Sequence, residues 1–161
     1  PKTPVFLNDI DVDSDGNFYI TDTSNFKTGG IVFKMNLLGD ITVLFDETTK
    51  NTKAPNGVLL IGNNKILLLD WGGELFEANI KSKKIKKLGE GFEGGDGLAI
   101  KNGDIYISSW KEGKIYKFKD GKSKVILDGF GAAADIALSK DKTHLIIPDM
   151  KAGTVTMYPI K

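Results

Sequence analysis

The chain has no cysteine, which excludes disulfide staples, thiolate metal sites and a cysteine nucleophile. It has one histidine, His144, so a zinc site built from several imidazoles is excluded too. No apolar run approaches the roughly 18 residues of a membrane-spanning helix. An excess of one charge is also lacking. Twenty-two basic against 21 acidic side chains leave a formal charge of +1, so no global field draws nucleic acid or an anionic membrane. The densest basic run, Lys81, Lys83, Lys84, Lys86 and Lys87, is interrupted by Ile85 and followed by Leu88, the pattern of an outer strand with a solvated face. Helical periodicity is missing. The apolar runs are short, rich in Ile, Leu, Val and Tyr, and bounded by Gly, Asn and Asp.

Glycine is plentiful, at 19 residues, and it punctuates a repeat. Four segments each open with a polar or small pair, run through an apolar strand, turn, and continue into a second and third strand. The first opens Asn8-Asp9-Ile10, turns at Ser14-Asp15-Gly16 and runs Phe18 to Asp22. The second opens Asn56-Gly57-Val58, turns at Gly62-Asn63-Asn64 and runs Ile66 to Asp70. The third opens Asp96-Gly97-Leu98, turns at Asn102-Gly103 and runs Ile105 to Ser109. The fourth opens Ala134-Asp135-Ile136, turns at Lys140-Asp141-Lys142 and runs Leu145 to Asp149. Third strands follow at Ile31–Met35, Glu74–Ala78, Lys114–Phe118 and Thr154–Tyr158, and fourth strands at Ile41–Phe45, Lys84–Leu88 and Ser123–Leu127. The period of about 40 residues is that of β-propeller blades. The expectation is an all-β chain of about 15 strands, residues 1–161 forming one propeller segment with blades near 8–46, 55–89, 95–128 and 133–161.

Blade geometry places the candidate site. First and second strands form a hairpin, so the start of one and the end of the other share a rim, and innermost strands surround the axis. Asn8, Asn56 and Asp96 should therefore ring the axis at one mouth, with Asp22, Asp70, Trp71, Ser109, Trp110 and Asp149 further out. Asn and Asp oxygens suit a hard cation: calcium takes six to eight of them. Each such residue is equally what a tight turn wants. Three at one repeat position are more specific, and Ala134 breaks the trend. Trp71 and Trp110 either stack on a ligand or pack between blades.

The stretches Phe6-Leu7-Asn8-Asp9, Pro55-Asn56-Gly57 and Asp96-Gly97-Leu98 resemble successive motifs of the SMP-30/gluconolactonase family of six-bladed propellers, in order and spacing. The resemblance covers essentially the whole chain and matches the C-terminal four blades. It implies a divalent-metal-dependent hydrolase of a lactone or related ester. Asn56 and Asp96 would be metal ligands, Asp96 also the general base, and Asn8 would contact substrate or complete the coordination. Trp71 and Trp110 are substrate-contact candidates from their place at the rim, not from the resemblance. The metal would be calcium before zinc, magnesium or manganese. The last repeat is similar to that of secreted bacterial members, which implies a periplasmic or secreted protein. The family's third ligand, a Glu of an earlier blade, has no counterpart in these four repeats. The position two residues before the first Asn, an Arg in the sugar-lactone enzymes, is Phe6.

Two motifs are set aside. Asp11, Asp13, Asp15, Gly16 and Asp22 fit the letters of a calcium loop but lie between strands rather than helices. Gly89-Glu90-Gly91-Phe92-Glu93-Gly94 fits a dinucleotide fingerprint without the helix that should follow. His144 reads as a strand residue. Two further expectations concern assembly. The fourth repeat reaches Lys161 without an outer strand, so the stretch reads as part of a larger ring, not catalytically competent by itself and prone to self-association at open blade edges. The competing arrangement is a small ring closed by Pro4–Leu7 adding to Thr154–Tyr158. The partner is a small-molecule substrate or ligand, and the alternative to an enzyme is a non-catalytic propeller binding a ligand or protein at the same mouth.

Overall fold

A computed structural model describes residues 3–48, 52–62 and 64–160; Asn63 of the second turn and Lys161 lie outside them. The chain is a β-propeller of four consecutive blades, with no helix among the described residues. Blade 1 comprises β1 (Leu7–Val12), β2 (Phe18–Asp22), β3 (Ile31–Met35) and β4 (Ile41–Phe45). Blade 2 comprises β5 (Pro55–Leu60), β6 (Lys65–Asp70), β7 (Glu74–Asn79) and β8 (Ile85–Glu90). Blade 3 comprises β9 (Gly95–Lys101), β10 (Asp104–Ser109), β11 (Lys114–Lys119) and β12 (Lys122–Leu127). Blade 4 comprises β13 (Ala137–Leu138), β14 (His144–Asp149) and β15 (Thr154–Pro159). Every sheet is an antiparallel meander in chain order, and the inner strands β1, β5, β9 and β13 stand side by side in that sequence.

Blades stack through apolar faces, and the period of two along each strand decides which stack a side chain joins. In β6, Ile66 and Leu68 turn toward blade 1, where with Phe76 of their own blade they meet Tyr19, Val32 and Phe45. Leu67 and Leu69 turn the other way, to Leu98, Ile107 and Phe92. All four are at most 1 % exposed, so a strand sandwiched between neighbours reads as a continuous apolar run. A third stack joins Tyr106 and Ile115 to Ile136, Leu145 and Ile147. At about 1.5–3 kcal/mol per buried large aliphatic side chain, these stacks dominate the stability.

Pro4–Leu7 does not add to β15. Leu7 pairs with Asp22 in β1, and among the described residues β15 pairs only with β14. The outward sheet face of blade 1 carries two cross-strand rows, Ile10–Ile20–Phe33–Val43 and Val12–Phe18–Met35–Ile41. Ile10, Val12, Ile41 and Val43 are 55 %, 51 %, 53 % and 37 % exposed.

Three aspartates at the ends of second strands are clamps. Asp22 accepts hydrogen bonds from the backbone N–H groups of Val5 and Phe6, Asp70 from those of Lys53 and Ala54, and Asp149 from those of Gly131 and Ala132. Each carboxylate thereby ties the segment entering its blade to the end of the hairpin. Asp149 also accepts from Ala152 and Lys151 N–H, and this backbone bonding, Ala152 foremost, holds its carboxyl below the ordinary range. Asp13 closes the first hairpin, accepting from Asp15 and Asn17 backbone N–H and from the Tyr19 hydroxyl, with Gly16 at φ 79°. The calcium-like letters are thus a hairpin turn.

Candidate functional site

The inner strands of blades 1 to 3 share an irregularity at the mouth. Pairing breaks between Leu7 and Ile10, between Pro55 and Gly57, and at Gly95 to Leu98 opposite Ser109 and Ile107. A bulge of this kind re-aims side chains and leaves backbone groups needing partners. Hydroxyls supply them: the Thr21 hydroxyl donates to the Asn56 carbonyl and accepts from Asp9 N–H, and the Ser108 hydroxyl accepts from Gly97 N–H. Gly57 and Gly97 are required by crowding. A Cβ on Gly57 would lie 2.5 Å from the Asp96 carbonyl oxygen, and one on Gly97 would lie 2.4 Å from an Asp135 carboxylate oxygen.

The bulges bring Asn56 and Asp96 together. Asn56 is 1 % exposed, and its side chain hydrogen-bonds the Asp96 carboxylate, which burial raises to about 6 with help from the nearby Asp135 charge. The Asn56 carbonyl oxygen Oδ1 is buried with no hydrogen-bond partner. Two acids join them. Asp9 is pushed up to about 7, by burial first and by Asp135 second, against the bonds it accepts from Val58 and Ile10 N–H. Asp135 is exposed at its own surface, yet the protein around it raises its carboxyl as well. Asp9, Asp96 and Asp135 thus gather in the axial region, and the Asp135 charge is felt by both of the others. They do not form a closed cage: among the described residues, no three acidic or imidazole side chains converge closely enough to hold an ion by themselves.

Asn8 stands apart from this group. It is exposed, and its amide donates to the Thr23 hydroxyl at 3.0 Å, along the rim. Asp9 and Asp135 take part where the sequence reading placed only Asn8. Their signal was the repeat alignment itself, since Gly57 and Gly97 hold the equivalent positions; the Asp135 carboxylate fills the room beside Gly97, and Asp9 accepts from Val58 N–H. Trp71 and Trp110 do meet, with ring centroids 5.8 Å apart. Phe26 lies 5.1 Å from Trp71, and Phe6 lies 4.8 Å from Phe26, so four rings make one row around the mouth. The ammonium groups of Lys111 and Lys151 sit over Trp71 and Trp110 at 5.1 and 4.7 Å.

These features define a propeller arc with an acidic axis and an aromatic rim. The sequence matches no family model and no curated protein. Solved structures share the fold. A gluconolactonase from Xanthomonas campestris superposes with a TM-score of 0.74 at 15 % identity, over 96 % of this chain and 57 % of that one. Regucalcin from Agrobacterium tumefaciens, a calcium-binding protein, gives 0.75 at 17 % identity, over 99 % and 56 %. A chain of a nidogen–laminin complex gives 0.76 at 18 % identity, over 89 % and 56 %. The chain therefore spans a little over half the length of these propellers.

Proposed function

We propose that the chain carries the axial site of a divalent-cation-dependent hydrolase acting on a lactone or related ester. The observation that carries the reading is the orphaned Asn56 Oδ1, buried beside the Asp96 carboxylate. A buried acceptor without a donor costs about 1–3 kcal/mol, and a cation is the partner it lacks. Asn56 and Asp96 would hold the ion, and Asp9 and Asp135 would add to the field that draws it. An all-oxygen donor set favours calcium, with magnesium, manganese or zinc as alternatives. Bound there, such an ion supplies Lewis-acid polarisation of a carbonyl.

The chain's own part is proton handling. Asp96 takes a proton from the attacking water as its oxygen bonds to the carbonyl carbon. The ring C–O bond then breaks, and that proton passes to the leaving alkoxide, giving the hydroxy acid. Likeness to the gluconolactonase and to the calcium-binding regucalcin supports the reading at the level of fold. A second reading, a non-catalytic binding propeller, draws support from the open arrangement of the three acids and from the likeness to the nidogen–laminin complex.

The test is a lactone panel assayed with the intact protein, with and without calcium, manganese or zinc. Cation-dependent hydrolysis abolished by Asp96→Asn supports the enzyme. Cation-independent hydrolysis, or an Asp96→Asn protein as active as the parent, overturns it.

A further inference from the structure

Which lactone the site takes is a question for the rim. The row Phe6–Phe26–Trp71–Trp110 draws on the approach to β1, the loop after β2, the end of β6 and the end of β10, so three blades contribute to one surface. Ordinary packing between blades accounts for it poorly, because the row is not buried. Phe6 is 46 % exposed, and the other three rings are half-buried. Phe26 also stands at φ 63°, a left-handed conformation that bulky side chains avoid, and it is held there by its N–H donating to the Thr23 carbonyl at 3.0 Å. Strain of this kind persists where the placement of a side chain matters. Here it puts the Phe26 ring between Phe6 and Trp71 and makes the row continuous. Lys111 and Lys151 lie over the two indoles, which leaves the Phe6 ring as the freest.

The charged side chains beside the row, Lys27, Lys53 and Glu93 with Lys111 and Lys151, lie toward Phe26 and the indoles. At the Phe6 end the Asn8 amide is engaged with Thr23, and the Asp22 carboxylate with backbone N–H groups. A polyhydroxylated lactone would exchange water for apolar rings, whereas an aryl or alkyl group gains from the same contact.

We infer that the row is a binding wall for an apolar group, so that the substrate class is a neutral lactone or ester bearing an aryl or alkyl substituent, with Phe6 its main contact. This rests on the hydrolase reading of the axial site for the word substrate, though not for the wall itself.

The experiment has two arms on the intact protein. The first compares turnover of dihydrocoumarin and glucono-δ-lactone at saturating cation. Dihydrocoumarin should be preferred at least about tenfold in kcat/KM, and Phe6→Ala should raise its KM about tenfold with kcat little changed, as loss of uniform binding does. The second arm titrates the lactam analogue of dihydrocoumarin, which is not turned over, against tryptophan fluorescence of the parent and of Phe6→Ala. Binding that weakens about tenfold in the variant supports the wall even if no lactone is hydrolysed, in which case the hydrolase reading alone fails. A preference for glucono-δ-lactone, no lactam binding, or equal affinity in the two proteins overturns the wall. Phe6 is exposed, so loss of fold is not expected to confuse the result, and circular dichroism of the variant checks it.

Discussion

Replacing Asp70 by Ala tests how the blades are held in register. Asp70 is 2 % exposed. One carboxylate oxygen accepts from Lys53 and Ala54 N–H at 2.9 and 2.8 Å, and the other from Gly72 N–H at 2.9 Å. The substitution strands all three donors. Ala54 N–H is buried and should bear the full penalty of an unmet group, about 1–3 kcal/mol. Lys53 and Gly72 are exposed residues whose donors water can reach, so each loses only the net worth of a bond, about 0.5–1.5 kcal/mol. The total is about 2–6 kcal/mol, a large share of the 5–15 kcal/mol by which domains of this size are stable. With a urea slope of about 2 kcal/mol per molar, the midpoint should fall by about 2 M at the centre of that range. Tryptophan fluorescence follows the transition, since Trp71 adjoins the clamp. Asp70→Asn, which keeps one acceptor, should fall between parent and Ala, and Lys140→Ala on an exposed turn should shift by less than about 0.5 kcal/mol. An Asp70→Ala midpoint within about 0.5 M of the parent, at unchanged slope, would refute the clamp.

Other expectations follow from the axis and the open faces. The folded-state pKa of Asp9 is raised to about 7, so its stabilising contribution is present at acidic pH and lost as pH climbs through that value. In cation-free protein, thermal unfolding should therefore move in favour of Asp9→Asn relative to the parent between about pH 5 and about pH 8; a gap independent of pH would count against the assignment. Gly57→Ala should cost about 1–3 kcal/mol and weaken cation affinity, because its Cβ must displace the Asp96 backbone; unchanged affinity in calorimetric titration would contradict the coupling. The apolar rows of blade 1 should draw a second copy of the chain face to face, and Ile10→Lys with Val43→Lys should return it to a monomer in sedimentation velocity. A monomeric parent would dismiss that association.

The blades were legible because each strand pair is local and its turns are marked. Ile66 to Leu69 announced a strand buried on both faces, and Ile41–Phe45 was bounded by Gly39-Asp40 and Asp46. Third and fourth strands fell within about two residues of their sequence positions. The first strand of the last blade did not follow the pattern. It is paired only at Ala137 and Leu138, with Ala133 making an isolated bridge to Asp149. Asn56 and Asp96 were visible as a repeat position, and the structure brings them together. Asp9 showed in the repeat only as an acid at the position of Gly57 and Gly97; its role depends on a bulge, which is a property of register between two strands, not of composition. The aromatic row was half visible. Trp71 and Trp110 sit at matching strand ends, but Phe26 joins them only through a left-handed backbone that the sequence did not signal. The sequence placed Asp22, Asp70 and Asp149 at the rim, and the backbone N–H groups they accept from make them hydrogen-bond clamps, a role that only the folded backbone reveals.

Direct measurement of cation binding tests the central proposal most sharply. Metal-stripped protein is dialysed to equilibrium against calcium, and against manganese and zinc in parallel, and bound metal is counted per chain. The parent should hold one equivalent, and thermal stability should rise by about 2.7 kcal/mol at a hundredfold excess over Kd. Asn56→Ala and Asp96→Ala should each lose the ion while keeping the β-sheet signature, since neither side chain belongs to the apolar stacks. Metal retained by Asp96→Ala, or a folded parent that binds none, would contradict the account.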